Sequence, residues 1–181
     1  MQAMPSGEYN PSLLPRVELM RLTTIITLAM KTQNYVPEGF SAVTPMLAIR
    51  NADRALEWYK AAFNAEELYR LTDSNGKIAH AKLKIKDCIL MVAEEQLDYN
   101  ISPETLGGTS IIMNIYVPDV DKTVDLALEH GAKLIFPVND QFYGDRAGRI
   151  RDPFGHMWII STHLKDVQPE ELQKQMNAAT A

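Results

Sequence analysis

The sequence predicts an α+β protein built from two βαβββ modules, and three observations carry that prediction. First, Asn51 to Leu56 overlays without gaps on Asp119 to Val124, 68 residues later. Second, the same shift places Asp87 to Val92 on Gly155 to Ile160. Third, each copy contains segments of alternating apolar residues, typical of strands, and one amphipathic segment, typical of a helix. We therefore expect the two copies to fold alike.

The first module begins with a strand at Val43 to Ile49, where apolar and branched residues alternate. Asn51 stands at the N-cap position of a helix at Ala52 to Phe63. The turn signal Asp73-Ser-Asn-Gly76 separates two of the strands that follow. These three predicted strands span Glu66 to Thr72, Ile78 to Ile85 and Cys88 to Ala93.

The second module repeats this order. A strand at Ile111 to Val117 precedes an N-cap at Asp119 and a helix at Val120 to His130, which Gly131 ends. Another turn signal, Asp152-Pro-Phe-Gly155, precedes the last strand. The three strands after the helix span Leu134 to Val138, Gly148 to Arg151 and His156 to Thr162.

The repeat fixes the expected domain organisation. One domain spans residues 38–165, with module one at about 40–95 and module two at about 109–163. Residues 1–37 form an N-terminal extension that is partly irregular, since its first part is rich in Pro, Ser, Gly and Asn. Residues 166–181 form a C-terminal helix and tail, because Pro169 and two glutamates open a helix there.

Composition excludes several classes of function. The chain is 46% hydrophobic and 23% charged, as globular proteins are, and its net charge of −5 without a basic block argues against a nucleic-acid partner. The apolar run Leu22 to Met30 is too short to cross a membrane, so no membrane partner is expected. The lone Cys88 is expected to be a packed thiol and is compatible with the reducing cytoplasm, our expected location.

Several strings make the chain similar to the vicinal oxygen chelate superfamily, which includes glyoxalase I, extradiol dioxygenases and bleomycin-resistance proteins. The resemblance covers about Phe40 to His163 and is greatest for the PhnB-like, bleomycin-resistance-like branch. The strings that carry it are Val43-Thr-Pro-Met-Leu, Ile78-Ala-His-Ala, Pro103-Glu-Thr-Leu-Gly-Gly108, Asp140-Gln-Phe-Tyr-Gly-Asp-Arg-Ala-Gly148 and Arg151-Asp-Pro-Phe-Gly-His-Met-Trp158. It implies a curved mixed sheet with a ligand cavity on its concave side, and a homodimer.

Metal-dependent members place ligands on the first and last strand of each module. The resemblance puts the first-strand positions near Thr44 and Ile112, and the last-strand positions at Met91 and Ile159. None is a strong donor, and a first-strand shift of one or two residues offers only Pro45 or Asn114 instead. We therefore expect neither a metal nor another cofactor.

Strand alternation indicates which side chains line the cavity. In Ile78 to Ile85, alternation places His80, Lys82 and Lys84 on one face, so His80 points either into the cavity or to water. The same reasoning predicts a Met-rich lining with few polar points, the usual character of a small-molecule pocket. Its candidate ligand-binding members are Met46, Met91, Asn114, Tyr116 and Ile159. The alternative is that these side chains form an ordinary core.

The predicted loop Asp140 to Gly148 adds two candidates. Tyr143 is suited to closing an apolar pocket, and Arg146 to binding an anionic or planar group. The alternative is that an ion pair, either Asp145 with Arg146 or Asp152 with Arg151, only pins the loop.

The expected function is therefore metal-independent binding of a small hydrophobic or aromatic molecule, as in bleomycin-resistance-type proteins. The alternative is a glyoxalase-like metal-dependent lyase or isomerase, or an enzyme of the dioxygenase family, with atypical ligands that include His80. Whether the chain catalyses a reaction stays open at this stage, and a purely structural domain is the third possibility.

Overall fold

The computed structural model describes residues 35–179, so residues 1–34 of the predicted N-terminal extension lie outside the described part. The chain divides into a unit of residues 1–38 and a unit of residues 39–181, which contains every element named below. Module one comprises β1 (Met46–Ile49), α1 (Ala52–Phe63), β2 (Glu66–Thr72), β3 (Ile78–Ile85) and β4 (Cys88–Glu94). A short helix, α2 (Pro103–Leu106), follows in the connection. Module two comprises β5 (Ile112–Tyr116), α3 (Val120–Glu129), β6 (Lys133–Asp140), β7 (Asp145–Arg151) and β8 (Met157–His163), and the last helix is α4 (Pro169–Ala179).

Each module forms its own four-stranded mixed sheet. Sheet one has the order β1-β4-β3-β2 and sheet two the order β5-β8-β7-β6. The pairs β1 with β4 and β5 with β8 are parallel, and the other pairs are antiparallel. The α+β class and the repeated βαβββ order are thus confirmed, although the modules form two sheets rather than one continuous sheet.

The helix ends differ between the modules. Asp119 caps α3 as predicted, because its carboxylate accepts from the backbone N–H of Lys122 at 3.0 Å. Asn51 stands at the predicted N-cap position of α1, but its side chain does not provide the capping bond usual for asparagine there. Asn51 adopts a left-handed conformation with φ 66° and makes no side-chain capping bond. The Glu94 carboxylate accepts instead from the N–H groups of Asn51 and Ala52, at 3.2 and 2.9 Å.

The two main helices pack between the sheets and join the modules. The Phe63 ring on α1 contacts the Trp158 ring on β8 at a centroid distance of 4.8 Å. The Tyr59 hydroxyl donates to the Asp152 carboxylate at 2.7 Å, and Trp58 Nε1 donates to the carbonyl of His130 at 2.9 Å. The sheet faces against these helices are buried, since Leu47, Ile49, Leu90, Val92, Ile115, Trp158 and Ile160 are all below a tenth exposed.

Asp152 is the polar centre of this junction. Its carboxylate is buried and also accepts from Trp158 Nε1 at 2.9 Å and from the backbone N–H groups of Phe154 and His156, at 3.0 and 2.9 Å. Together with the Tyr59 hydroxyl, these donors compensate for the removal of a carboxylate from water. The junction therefore fixes α1 of module one against the last turn of module two.

Candidate functional site

The face of each sheet turned away from α1 and α3 is called its open face. On sheet one, Met91 pairs with Met46 on one side and with Lys82 on the other, so these three side chains share the open face. His80 lies on the same face, half-buried, with its ring centroid 5.9 Å from that of Tyr69. The alternation predicted for β3 is confirmed, since Ala81, Leu83 and Ile85 on the opposite face are buried.

The open face of sheet two carries the remaining candidates from the strands. Asn114 pairs with Ile159, and Tyr116 pairs with Ser161, along the parallel β5–β8 ladder. Asn114 and Tyr116 are exposed, while Ile159 is half-buried. The Ser161 hydroxyl is buried and donates to the Asn114 side-chain oxygen at 3.1 Å. The predicted lining residues therefore do gather in the structure, but on two faces, one on each module.

The buried carboxylate of Asp145, which the sequence analysis considered only as an ion-pair partner of Arg146, lies at one end of the second open face. Asp145 accepts from the Tyr116 hydroxyl at 3.0 Å and from His163 Nδ1 at 2.8 Å. These contacts raise the pKa of His163, mainly through the hydrogen bond to Asp145, with Asp166 adding to the effect. The same carboxylate raises the pKa of Tyr116. Alternation along β8, which puts His163 beside Ser161 and Ile159, was the available signal.

The two candidates from the predicted loop Asp140 to Gly148 lie on different elements: Tyr143 is in the β6–β7 connection, and Arg146 is on β7, which begins at Asp145 rather than at the predicted Gly148. Tyr143 lines a recess of about 150 Å³ together with Phe136 and Ile159, and burial raises the pKa of its phenol. Arg146 instead pairs with Asp121 on α3 at 2.7 Å and with Asp140 at 2.9 Å. This geometry favours the loop-pinning alternative for Arg146, although its partners are these two carboxylates rather than the expected Asp145.

Arg149, which the sequence analysis did not single out, lies on the open face of sheet two. It pairs with Ile159 on β8 and with Phe136 on β6, and its guanidinium carbon lies 5.0 Å from the Phe136 ring centroid. Its Nε atom is buried without a hydrogen-bond partner in the described part of the chain. The repeat contained the signal, because Arg149 is the module-two equivalent of Lys82.

The residues at the superfamily's ligand positions do not fit a metal. Met91 and Ile159, the last-strand positions inferred from the resemblance, pair with Met46 and Asn114 along the two parallel ladders. Two thioethers, one aliphatic side chain and one amide do not form a set of ligands for a hard divalent cation. Within residues 35–179, no group of three or more His, Cys, Asp or Glu side chains is arranged to hold a metal ion.

The surroundings of two further side chains, His156 and Cys88, shift their pKa values away from the charged forms. His156 is buried, which lowers its pKa, and it lies at the module junction rather than on an open face. The prediction of a packed Cys88 is wrong, because Cys88 is exposed at the start of β4. Partial desolvation and the neighbouring Asp87 raise the pKa of its thiol, which opposes the thiolate form that a nucleophile needs.

A cleft of about 580 Å³ lies at the free edge of β5, where the two modules meet. Its lining includes Ile112, Asn114 and Tyr116 from the second open face, and Cys88 from β4. The second open face is therefore continuous with a concave, mainly apolar depression. None of the helices in residues 35–179 has the length and apolar character needed to span a bilayer.

Comparisons with known proteins agree with this architecture. Residues 41–160 match the family model described as the Glyoxalase/Bleomycin resistance protein/Dioxygenase superfamily. An uncharacterized protein of Mycobacterium bovis is 34% identical over 141 residues, which cover 76% of this chain and 93% of that protein. An uncharacterized protein of Mycobacterium tuberculosis is also 34% identical over 141 residues, covering 76% of this chain and 83% of its own length.

Solved structures share the fold. TioX from Micromonospora sp. ML1 is 32% identical, with a TM-score of 0.56 over 68% of this chain and 99% of TioX. A PhnB protein from Bacillus cereus is 13% identical, with a TM-score of 0.55 over 67% of this chain and 99% of that protein, a likeness of fold alone.

Proposed function

Because the chain belongs to the glyoxalase, bleomycin resistance protein and dioxygenase superfamily, we propose that it is a metal-independent binding protein of the bleomycin-resistance type. It holds a small hydrophobic or aromatic molecule between the open faces of two copies of the chain. The observation that carries this proposal is the composition of those faces, where apolar side chains surround a few polar groups and the last-strand positions Met91 and Ile159 pair with Met46 and Asn114.

Exposed apolar side chains on both open faces support a homodimer. Five large side chains there are each between 45% and 57% exposed: Met46, Leu71, Ile112, Tyr116 and Phe136. Leaving so much apolar surface in water is unfavourable, and a second copy of the chain is the partner we propose to cover it. Oligomers of identical chains usually have two-fold symmetry.

Two-fold symmetry also limits how the faces can meet. If module one met module one, the open faces of both second modules would stay uncovered. A single two-fold axis covers all four faces only when module one of each protomer meets module two of the other. The resulting dimer has two equivalent cavities, each lined by one sheet from each protomer, and every cavity is incomplete in a single chain.

Sedimentation velocity tests the dimer. We expect the chain of 20.4 kDa to sediment as a dimer, and Leu71→Asp and Ile112→Asp each to shift it to monomer because a charge would be buried at the interface. Leu97→Asp is the matched control, since Leu97 is 67% exposed in the connection between the modules. A monomeric wild-type chain, or a control that dissociates as the two variants do, would overturn the arrangement.

Metal analysis and ligand binding test the rest of the proposal. Protein prepared without chelators should contain no stoichiometric divalent metal, and a neutral fluorescent aromatic such as N-phenyl-1-naphthylamine should bind the dimer and not the Leu71→Asp variant. Tightly held metal at one equivalent per chain would instead favour the lyase or isomerase alternative. Absence of binding by the wild-type dimer would refute the binding function.

A further inference from the structure

We propose that the ligand carries a carboxylate or a similar anionic group on its aromatic or apolar body, and that Lys82 and Arg149 bind that group. This inference rests on the binding function proposed above and specifies its ligand class. It depends on a repeated pair of side chains, one cation and one aromatic ring, that occurs once in each module.

The two pairs occupy equivalent positions. Lys82 on β3 pairs with Tyr69 on β2, and Arg149 on β7 pairs with Phe136 on β6. Both members of the second pair lie 67 residues after those of the first, an offset that also relates Asn64 to the start of the equivalent segment at Gly131. On their other side, Lys82 and Arg149 pair with the two last-strand positions, Met91 and Ile159.

Both cations lie over aromatic rings. Lys82 Nζ lies 4.8 Å from the Tyr69 ring centroid and 4.5 Å from that of Phe40, and the Arg149 guanidinium lies 5.0 Å from that of Phe136. These distances are within the range of cation–π attraction, which orients a cation without neutralising it.

Neither cation has a carboxylate within 4.0 Å anywhere in residues 35–179. Two other cations of the same sheets do have such partners: Arg70 pairs with Glu67, and Arg146 pairs with Asp121. Acidic residues outnumber basic ones in the chain by 23 to 18. Lys82 and Arg149 therefore keep their charge available on the open faces of a protein that is acidic overall.

The surroundings of Arg149 point to an anionic acceptor. Its buried Nε has no hydrogen-bond partner in the described chain, and a buried donor without an acceptor is unfavourable. The guanidinium borders the recess of about 150 Å³ that Phe136, Tyr143 and Ile159 also line. A planar fork of N–H donors matches a carboxylate through two parallel hydrogen bonds, while the neighbouring rings favour an aromatic body.

The proposed dimer brings the two cations together. Each cavity is lined by module one of one protomer and module two of the other, so each contains one Lys82 and one Arg149. An anion bound between them is attracted from both walls, and this attraction is stronger in a cavity from which water is partly excluded.

A matched pair of probes tests the ligand class. The anion 8-anilinonaphthalene-1-sulfonate and neutral N-phenyl-1-naphthylamine share their ring system and differ by the sulfonate. In fluorescence titrations of the full-length dimer, we expect the anion to bind about tenfold more tightly than the neutral probe, since one charge-assisted interaction is worth roughly that factor. We also expect salt to weaken binding of the anion only.

Variants identify the groups responsible. Lys82→Gln and Arg149→Gln should each weaken anion binding by about tenfold and leave neutral-probe binding within about twofold. Lys122→Gln is the matched control, because it removes one positive charge from exposed α3 on the helix side of sheet two. Thermal melts and sedimentation of each variant establish that fold and dimer are retained.

The outcomes separate this inference from the proposed function. Selective loss of anion affinity in the two variants, with none in Lys122→Gln, supports the inference. Equal binding of both probes, or equal losses in all three variants, overturns the anionic ligand and leaves the binding function standing. If the wild-type dimer binds neither probe, both proposals fail.

Discussion

Tyr59→Phe probes the junction that sets the position of one open face relative to the other. The substitution removes only the hydroxyl that donates to Asp152 at 2.7 Å. Tyr59 is 0% exposed and Asp152 is 3% exposed, so water cannot replace the lost donor. The carboxylate retains its three other donors, from Trp158, Phe154 and His156, so the network is weakened rather than lost.

The expected cost follows from the kind of bond removed. A hydrogen bond to a charged group contributes about 1.5–3 kcal/mol, and with three donors left we expect a loss of about 2 kcal/mol in the free energy of unfolding. For a chain of this size that loss lowers the Tm by about 4–8 °C. Urea unfolding followed by tryptophan fluorescence measures it, because Trp58 and Trp158 both contact the Tyr59 ring, at centroid distances of 5.2 and 5.7 Å.

Tyr69→Phe provides the matched control. It removes a hydroxyl from a residue that is 39% exposed, so we expect a change below about 0.5 kcal/mol. Both variants are compared with wild type at one protein concentration, because dimer stability depends on concentration. If Tyr59→Phe costs less than about 0.5 kcal/mol, or if Tyr69→Phe costs as much, the assignment of Asp152 as the polar centre of the junction is wrong.

Three further predictions concern the ends of secondary-structure elements and the second open face. The raised pKa of His163 means that its protonated form stabilises the fold below about pH 6.5 and that this stabilisation is lost as pH rises through the folded-state pKa. NMR titration should therefore give a pKa above that of a free histidine. In His163→Gln, the free energy of unfolding should differ less between about pH 5.5 and pH 8.5 than it does in wild type. Gly144→Ala should cost at least about 2 kcal/mol in chemical denaturation, because φ is +97° and a Cβ would lie 2.0 Å from the Lys165 carbonyl oxygen, whereas an unchanged midpoint would contradict that geometry. Glu94→Ala should cost about 1 kcal/mol through loss of the acceptor at the α1 N-terminus, and a thermal melt indistinguishable from wild type would show that this contact is not a cap.

Local pattern was sufficient for most of the fold. The helix Ala52–Phe63 and the strands Glu66–Thr72 and Ile78–Ile85 have the predicted boundaries, because periodicity and turn residues define them within a few residues of chain. The capping of α1 was not predictable in this way. Glu94 lies 43 residues after Asn51 and reaches the helix end only because β1 and β4 are neighbours in the sheet.

The sequence predicted which side chains share an open face better than it predicted which charged side chains lie there. Alternation placed His80 and Met91 correctly on one open face. For Arg146, the loop composition left ligand binding and loop pinning equally open. The structure favours pinning, since β7 begins at Asp145 and strand alternation turns Arg146 toward α3 and Arg149 toward the open face. The packing of the helices between the sheets depends on contacts between modules, such as Tyr59 with Asp152, that no local pattern encodes.

The junction at Asp152 also determines whether the two modules can fold apart from each other. Cutting the connection at residues 95–111 would leave Tyr59, Phe63 and Trp58 without their cover in one fragment and would deprive the Asp152 carboxylate of a donor in the other. We therefore expect the two halves, expressed separately, to be poorly soluble alone and to recover a native fold only when mixed. A lone βαβββ unit would need a second unit to cover the same helix, so the repeat is a unit of sequence but not an independent unit of folding.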